Sequence, residues 1–482
     1  MPGITLIGLG PGDPGKVTRE AWQILASARS MWLRTRQHPV VASLPASIHV
    51  ESFDSLYESS ESFEHVYSLI TERILELGKS TEGVIYGVPG DPFVAEATGP
   101  AIARLAARDG VPVRVVEGMS FLEPTFSALG IDPYPRLTLC DAITLGGSHV
   151  PAFPPDTPAL IAQVYSKLVA AEIKTVIGEI YPDSHPVRLV HAAGTKDQLV
   201  EELPLHAIDR SEHVGALTCL YLPPRDPGTS MESFQEIVAH LRAPDGCPWD
   251  REQTHASLRK HMLEEAYEVI AAMDSNDFNA MREEFGDLLL QIMLNSQIAT
   301  EEGEFGINDV IKGIHDKIVR RHPHVFGDFK VDGVDGVLAN WEKIKDDERA
   351  DNQDAGGLLE GVPLSLPALS QAQEYQDRAA RVGFDWQEIQ GVLDKIAEEV
   401  EEVRKSGSAA ELADELGDLF FALVNLTRWK GADAESALRG TNARFKRRFQ
   451  SIERAAREQG HRVSDLSLDQ MEALWQKAKR SE

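Results

Sequence analysis

Acidic side chains recur at helical spacing in two places of the sequence. Within each set, two pairs of carboxylates stand three residues apart, which puts the members of a pair on one face of a helix. The first set is Glu265, Glu268, Glu284 and Asp287, and the second is Glu399, Glu402, Glu415 and Asp418. Two such pairs on adjacent antiparallel helices would repel each other unless a cation lay between them. Carboxylate oxygens together with water suit a hard divalent ion, Mg²⁺ above all.

The alternative to a metal site is a solvated helix face, which is the simplest interpretation of a single acidic pair. The recurrence of the whole set favours the metal. Gly286 and Gly417 also stand next to the aspartates inside the predicted helices. Glycine costs about 1 kcal/mol relative to alanine inside a helix, so we expect a close packing contact at each of these positions.

Cations and tryptophans follow each acidic set, again one helical turn apart. They are Lys317, Arg321, Trp341 and Lys345 in the first case, and Arg444, Arg448, Trp475 and Lys479 in the second. Guanidinium and ammonium groups match phosphate oxygens, and an indole can stack on a base. The alternative is surface ion pairs and a core tryptophan. Recurrence in both places favours a phosphate-binding role.

A metal site, phosphate-binding cations and an aromatic plane together indicate a nucleotide polyphosphate as the substrate. The expected reaction is hydrolysis, because a metal lowers the pKa of bound water and stabilises leaving pyrophosphate. Glu264 and Glu398 adjoin the predicted ligands and are candidates to orient or deprotonate the water.

The elements that position these residues change character along the chain. Apolar runs ending in glycine at 4–10, 83–90 and 111–118 alternate with helical patterns, which predicts a layered α/β fold. Runs at 174–181, 185–194 and 216–224 also have strand character. After residue 230, long segments show apolar residues at helical spacing. The chain is therefore predicted to be multidomain, with an N-terminal α/β domain (1–222), a linker (223–230), an all-α domain (231–349), a second linker (350–367) and a second all-α domain (368–482).

The two helical regions resemble each other. Four short motifs recur in the same order at an offset of about 130 residues, for example EEFGDLLLQIMLN (283–295) and DELGDLFFALVNL (414–426). Matches in constant order predict duplication of one unit. We refer to 231–349 as the first helical block and to 368–482 as the second.

Composition limits the remaining possibilities. The 482 residues include 48 Lys+Arg and 76 Asp+Glu, with a formal net charge of −28, which argues against binding polymeric nucleic acid. The three cysteines form no CxxC pair and fit a reducing cytoplasm. No apolar run approaches about 20 residues, so we expect no membrane span, and the N-terminus does not read as a signal peptide.

The helical region resembles the MazG family of nucleoside triphosphate pyrophosphohydrolases in its tandem form, over residues 231–482. The resemblance rests on GCPWDREQT (246–254), LEEAYEV (263–269), EEFGDLL, RRHPHVF (320–326), NWEKIKDDER (340–349) and RVGFDW (381–386). It implies Mg²⁺-dependent hydrolysis of nucleoside triphosphates to monophosphate and pyrophosphate, a homodimer, and the eight carboxylates above as metal ligands. Arg444 stands where the family pattern leads us to expect lysine.

Three glycine-containing motifs follow N-terminal strands: GLGPGDP (8–14), GVPGDPF (87–93) and EGMSFLEPTFSALGI (117–131). Such loops can bring backbone N–H groups to a ligand, although simple turns are an alternative. Together they resemble the tetrapyrrole methylase family over residues 1–222, which implies S-adenosylmethionine as a cofactor. The candidate cofactor-binding residues are Gly8, Gly10, Pro11, Gly90, Asp91 and Ser120. Fusion of these two regions resembles the YabN-like proteins.

Three hypotheses remain open for the chain as a whole. The leading one is a nucleoside triphosphate pyrophosphohydrolase that clears nucleotide pools. The second, compatible with it, is a tetrapyrrole-type methyltransferase at the N-terminus. The third is a nucleotide-sensing scaffold that binds without turnover.

Overall fold

The computed structural model describes residues 3–60, 62–334, 336–337, 340–341, 344 and 357–480. The chain divides into two compact units, Met1–His240 and Leu241–Glu482. Among the described residues, none of the helices combines the length and the apolar composition needed to cross a membrane.

The N-terminal unit contains two five-stranded sheets. Their strands are β1 (Ile4–Gly8), β2 (Ser30–Leu33), β3 (His49–Ser52), β4 (Val84–Val88), β5 (Val113–Val116), β6 (Thr138–Asp141), β7 (Ala159–Ala162), β8 (Pro186–His191), β9 (Leu199–Pro204) and β10 (Thr218–Leu222). The first sheet has the order β3-β2-β4-β1-β5 and is parallel throughout. The second has the order β6-β7-β10-β8-β9, with β6 and β7 parallel and the other pairs antiparallel.

Helices connect these strands and cover the sheets. They are α1 (Arg19–Ser27), α2 (Asp54–Ser59), α3 (Phe63–Gly78), α4 (Thr98–Asp109), α5 (Leu122–Leu129), α6 (Ala142–Gly146) and α7 (Lys167–Gly178). A parallel sheet covered on both faces must bury its central strands, and β1 is correspondingly apolar: Ile4, Leu6 and Ile7 are at most 2% exposed. The three predicted N-terminal strands and the α/β fold class are therefore confirmed.

The prediction of a strand at 174–181 is wrong. Residues up to Gly178 form the end of α7, whose N-terminus is capped by Ser166. Val169, Ile173 and Ile177 are buried at helical spacing, so the apolar run KTVI continues a helical pattern that starts earlier. A short apolar run does not by itself distinguish a strand from the last turns of a buried helix.

The C-terminal unit is helical in the residues that the structure describes. Its helices are α8 (Met231–Arg242, which begins before the unit boundary), α9 (Pro248–Glu252), α10 (His255–Ser275), α11 (Phe278–Glu302), α12 (Ile307–Arg321), α13 (Pro323–Phe326), α14 (Ala368–Arg381), α15 (Ile389–Lys405), α16 (Ala409–Trp429), α17 (Ala434–Glu458) and α18 (Leu468–Arg480).

Tight connections make α10 with α11, and α15 with α16, into antiparallel hairpins. Asn276, in a left-handed conformation, ends α10, and the Asp277 side chain caps α11. Ser408 caps α16 in the corresponding place. These caps satisfy N–H groups that the first helical turn leaves without partners. Each hairpin therefore holds its two acidic motifs on facing helices.

Candidate functional site

The first acidic set converges between α10 and α11. Glu265, Glu268 and Glu284 each place one carboxylate oxygen within 4.8 Å of the other two. Partial desolvation, followed by the charges of Asp287 and Glu268, raises the pKa of Glu265. Desolvation and the charges of Glu268 and Asp287 likewise raise the pKa of Glu284. The fourth predicted ligand, Asp287, is therefore close enough to act electrostatically on this group.

The second acidic set also converges, between α15 and α16, but through a different trio of positions. Glu399, Glu415 and Asp418 bring carboxylate oxygens within 4.8 Å of one another. Desolvation and the charges of Glu402 and Glu399 raise the pKa of Glu415. Both sets thus contain three converging carboxylates and a fourth nearby.

Glu399 differs from its counterpart Glu265 in being buried. It is 2% exposed, and its Oε1 lies 2.6 Å from Nζ of Lys395. Its Oε2 is buried and has no hydrogen-bond partner among the described residues. A buried carboxylate oxygen without a partner is costly, and a cation is the ligand that would satisfy it. The donor set therefore fits a divalent cation.

The two candidate catalytic glutamates lie beside the clusters in surface ion pairs. Glu264 lies 3.4 Å from Nζ of Lys260 and 3.4 Å from Nδ1 of His261. Glu398 lies 3.0 Å from Nζ of Lys395. Both side chains are about half exposed, so they are within reach of solvent water.

The prediction of a close packing contact at Gly286 and Gly417 is wrong. A Cβ added at Gly286 or Gly417 would meet nothing within 4 Å among the described residues. Close packing among the described residues therefore does not explain either glycine.

In the second helical block the structure brings one predicted cation, Arg448, to the predicted tryptophan, Trp475. The guanidinium of Arg448 on α17 lies 5.4 Å from the ring centroid of Trp475 on α18. Phe445 packs 5.3 Å from the same indole. Arg444 is exposed and donates to the hydroxyl of Thr441, and Lys479 is exposed on α18.

In the first helical block the corresponding residues are only partly described. Lys317 is exposed on α12, and Arg321 is the last residue of that helix. Trp341 lies 6.0 Å, ring to ring, from His322. Lys345 lies outside the described residues.

Two of the N-terminal glycine loops are joined directly. The Gly10 N–H donates to the Gly90 carbonyl (3.1 Å), and the Gly90 N–H donates back to Gly10 (2.8 Å). A Cβ at Gly8 would lie 2.6 Å from both Gly90 O and Gly118 Cα, so only glycine permits this approach.

Asp91 and Ser120 also hold the loops in place. One Asp91 carboxylate oxygen accepts from the Phe93 N–H and the other from the Gly118 N–H, at 2.8 and 3.1 Å. Ser120 is 2% exposed, and its hydroxyl donates to Glu123 at 2.7 Å. Asp91 and Ser120 therefore shape the glycine loops through hydrogen bonds within the chain.

A cavity of about 260 Å³ lies beside the joined loops, lined in part by Gly10, Pro11 and Gly90. Its other walls come from both sheets and include Gln163 and Thr218. The glycine motifs thus predicted one side of the cavity, whereas the side contributed by the second sheet carries no comparable sequence signal.

Arg34 and His38 line the same cavity and were missed by the sequence analysis. Arg34 pairs with the buried carboxylate of Glu96 and donates to the hydroxyls of Tyr57 and Tyr67. Burial lowers the pKa of Arg34, but the charge of Glu96 and the contact with Tyr57 outweigh it and raise the pKa overall.

His38 is 6% exposed, and burial lowers its pKa to about 4. Its imidazole is therefore neutral at pH 7. A single arginine and a single histidine dispersed among turns form no motif, so only the fold shows that they share a cavity.

Comparisons with known proteins agree with both halves of this description. The family model of the tetrapyrrole (corrin/porphyrin) methylases matches residues 3–209, and that of the MazG nucleotide pyrophosphohydrolase domain matches residues 253–326.

Three similar proteins cover either the whole chain or its helical part. The YabN protein of Bacillus subtilis (strain 168) is 41% identical over 488 residues, which cover 99% of each chain. A nucleoside triphosphate pyrophosphohydrolase of Escherichia coli (strain K12) is 46% identical over 252 residues, covering 51% of this chain and 95% of that protein. A nucleoside triphosphate pyrophosphohydrolase/pyrophosphatase MazG of Thermotoga maritima is 41% identical over 255 residues, which cover 53% of this chain and 98% of that protein. The chain therefore belongs to the MazG family, in the YabN-like form that carries a tetrapyrrole methylase domain at its N-terminus.

Proposed function

We propose that the helical unit is a Mg²⁺-dependent nucleoside triphosphate pyrophosphohydrolase that converts a nucleoside triphosphate and water to the monophosphate and pyrophosphate. The observation that carries the proposal is the buried Glu399, whose Oε2 has no partner among the described residues and which converges with Glu415 and Asp418. Two relatives that cover the helical part carry the name of this activity, which supports the same reaction.

Glu265, Glu268, Glu284 and Asp287 would hold the metal in the first helical block, and Glu399, Glu402, Glu415 and Asp418 would hold it in the second. When bound, Mg²⁺ lowers the pKa of coordinated water and neutralises charge on the phosphates. Glu264 and Glu398 are half exposed beside these ligands and are proposed to orient the attacking water or accept its proton.

The cations that follow each hairpin are proposed to bind the phosphates. Arg448 is held against Trp475, so its guanidinium is preorganised and loses little side-chain freedom on binding. Arg444 and Lys479 are exposed nearby in sequence and can meet the remaining phosphate oxygens. Lys317, Arg321, Trp341 and Lys345 would act in the same way in the first block.

A direct test combines product analysis with inactivation of each block. The full-length chain, incubated with Mg²⁺ and each of the four nucleoside triphosphates, should release monophosphate and pyrophosphate without orthophosphate. Glu265→Gln and Glu399→Gln together should reduce this turnover at least 100-fold, whereas Glu453→Gln, an exposed position on α17, should leave it unchanged. Tight nucleotide binding without any product in the unaltered chain would instead support the scaffold hypothesis.

We further propose that the two helical blocks arose by duplication and that the chain works as a homodimer. Both blocks present an acidic helix hairpin with carboxylates at the same four sequence positions, although the three that converge are Glu265, Glu268 and Glu284 in the first and Glu399, Glu415 and Asp418 in the second. Large apolar side chains stay exposed on helices of the unit, among them Phe285 on α11, Ile311 and Ile314 on α12, and Phe420 on α16. Exposed apolar area of this kind is typical of an interface, and a second copy of the chain is the occupant that the family resemblance implies.

The N-terminal unit supports a second candidate function, binding of S-adenosylmethionine by a methyltransferase-like domain. The observation that favours it is the cavity beside the Gly10–Gly90 bridge. Because Gly10 has a φ of +73° and a Cβ there would lie 3.1 Å from Lys16 O, Gly10→Val should distort the loop. Calorimetry on the full-length chain should show binding of S-adenosylhomocysteine that this variant loses, and the absence of binding by the unaltered chain would refute the proposal.

A further inference from the structure

One side of the cavity beside the joined glycine loops carries none of the candidate cofactor contacts. This side is formed by Arg34 and His38, which follow β2, and the aromatic rings of Phe121 and Tyr165 also line the cavity. A neighbouring cavity of about 230 Å³ shares Phe121 and Gln163 among its walls. Each of the two is smaller than a typical ligand pocket of roughly 300–1,000 Å³, so a second ligand beside a cofactor must be small.

His38 presents an unused hydrogen-bond acceptor on this side of the cavity. The residue is 6% exposed, and its Nδ1 is buried and has no partner among the described residues. Burial lowers the pKa of His38 although a hydrogen bond with the backbone of Gly10 raises it, so the ring is neutral and has one donor and one acceptor nitrogen. The donor serves Gly10, and an N–H or O–H group of a ligand would satisfy Nδ1.

Arg34 brings no net charge to the cavity. Its guanidinium pairs with Glu96, whose side chain is 1% exposed, and donates to the hydroxyls of Tyr57 and Tyr67 at 3.0 and 3.2 Å. Among the described residues that line the cavity, Arg34 is the only one that is charged at pH 7. A buried carboxylate needs a cation of its own, so this cavity disfavours an anionic ligand, and above all the several carboxylates of a natural porphyrin.

Two residues shared by the two cavities hold a left-handed backbone conformation. The φ angles are +52° at Ala95 and +65° at Gln163, and both residues line both cavities. Such conformations are costly for residues other than glycine and cluster at binding and catalytic sites. The strained backbone therefore marks the same region as a ligand site.

We propose that the side of the cavity formed by Arg34 and His38 binds a small, uncharged aromatic compound with an N–H or O–H group as the methyl acceptor of the N-terminal unit; the proposal rests on the S-adenosylmethionine binding proposed above. The N–H or O–H group donates to Nδ1 of His38, and the ring packs against Phe121 and Tyr165. The heteroatom of this group forms a bond to the methyl carbon and the methyl–sulfur bond breaks. S-adenosylhomocysteine is released, and the proton of the N–H or O–H group passes to water.

Three ligands with the same ring test both requirements in the unaltered chain. Phenol is uncharged and has a donor, anisole lacks the donor, and benzoate carries a negative charge. Ligand-observed NMR titration of the full-length chain, saturated with S-adenosylhomocysteine, measures the three dissociation constants. We expect phenol to bind at least fivefold more tightly than anisole and benzoate. Anisole or benzoate that binds as tightly as phenol, or the absence of phenol binding, overturns the proposal.

Variants of His38 assign the phenol to this residue. His38→Phe removes the acceptor and keeps a ring, so it should weaken phenol binding at least fivefold and leave anisole within twofold. His38→Gln keeps an acceptor oxygen and should restore part of the phenol affinity. His49→Phe, at an exposed histidine on β3, is the matched control. Phenol affinity that stays unchanged in His38→Phe overturns the proposal.

Calorimetry with S-adenosylhomocysteine checks that each variant keeps the cavity intact. If His38→Phe loses this ligand as well, Tyr165→Ala decides, because that side chain is 41% exposed and its removal does not threaten the fold. Phenol binding should weaken at least threefold in Tyr165→Ala, and unchanged phenol binding there overturns the proposal. Uroporphyrin III that displaces phenol from the unaltered chain also overturns it and assigns the cavity to a tetrapyrrole.

The same titrations separate this proposal from the function on which it rests. If the unaltered chain does not bind S-adenosylhomocysteine, the cofactor proposal is refuted. The comparison of phenol with anisole and benzoate, repeated without S-adenosylhomocysteine, then still decides whether His38 binds an uncharged donor.

Discussion

The ammonium group of Lys395 lies 2.6 Å from Oε1 of the buried Glu399. The same ammonium group lies 3.0 Å from Oε1 of Glu398. These two hydrogen bonds raise the pKa of Lys395 above its ordinary value, so it stays charged at neutral pH. A divalent cation bound at the second acidic cluster would therefore share Glu399 with a permanent positive charge.

Lys395→Met should tighten Mg²⁺ binding several-fold, because it removes a positive charge beside the metal ligands. In EDTA the same change should lower the free energy of unfolding by about 1 kcal/mol, since the pair is partly screened by solvent. Calorimetric titration with Mg²⁺ and urea denaturation measure the two effects. Lys260→Met removes one of the two ion-pair partners of the exposed Glu264. It should change both the Mg²⁺ affinity and the free energy of unfolding by less than Lys395→Met does. Weaker Mg²⁺ binding in Lys395→Met would show that the lysine supports the site rather than competing for it.

The acidic clusters should make the metal-free chain less stable as the pH rises. Desolvation and the charges of Glu402 and Glu399 raise the pKa of Glu415 above 4.5, so the native state binds a proton that the unfolded state has released. Stability from this group is complete below pH 4.5 and is lost as the pH rises through the native pKa. In EDTA, Glu415→Gln should therefore gain stability relative to the unaltered chain between pH 4.5 and 7.

Urea denaturation at a series of pH values checks this prediction, with Glu453→Gln as the control. Addition of Mg²⁺ should remove the advantage of the Glu415 variant, because the cation then offsets the repulsion. A difference between the two variants that does not change with pH would contradict the argument.

His38 should have the opposite effect in the N-terminal unit. Burial lowers its pKa from 6.5 to about 4, so the unfolded state binds a proton that the native state does not. The contribution of His38 to the free energy of unfolding is then complete above pH 6.5. It is lost as the pH falls from 6.5 towards 4, by about 2 kcal/mol at pH 5. His38→Gln, which does not titrate, should show a correspondingly smaller loss between pH 8 and pH 5 in urea denaturation. A loss of stability equal to that of the unaltered chain would mean that the pKa of His38 is not lowered. The control is His49→Gln, which replaces an exposed histidine.

The apolar face of α12 should lie in the proposed dimer interface. Ile311, Ile314 and Ile318 are each between 45% and 49% exposed and stand at helical spacing on one face. Ile311→Glu combined with Ile314→Glu would place two charges in the interface, so the chain should become monomeric in sedimentation experiments. Lys312→Gln, an exposed residue of the same helix, should leave the dimer intact. A chain that is monomeric without any substitution would refute the homodimer.

Part of the candidate site followed from local spacing. Glu265 and Glu268 share a helix face because they are three residues apart, and Glu284 meets them because a two-residue connection turns α11 back on α10. Both relations depend only on helix geometry and a tight turn, which sequence expresses directly. The packing contact expected at Gly286 failed for a related reason: a glycine signals low helix propensity, but the neighbour it would make room for is not encoded locally.

The remaining features depend on contacts between segments far apart in the chain. His38 and Gln163 line one cavity although 125 positions separate them. The side-chain amide of Gln376 on α14 donates a hydrogen bond to the Phe421 carbonyl on α16. The burial that lowers the pKa of His38 and isolates Oε2 of Glu399 arises only when these segments pack. The sequence by itself determined the α/β and helical regions and the two acidic helix hairpins, because periodicity and caps are local properties. Only the tertiary structure decided which cavities form and which polar atoms have no partner among the described residues, because both depend on how distant segments pack.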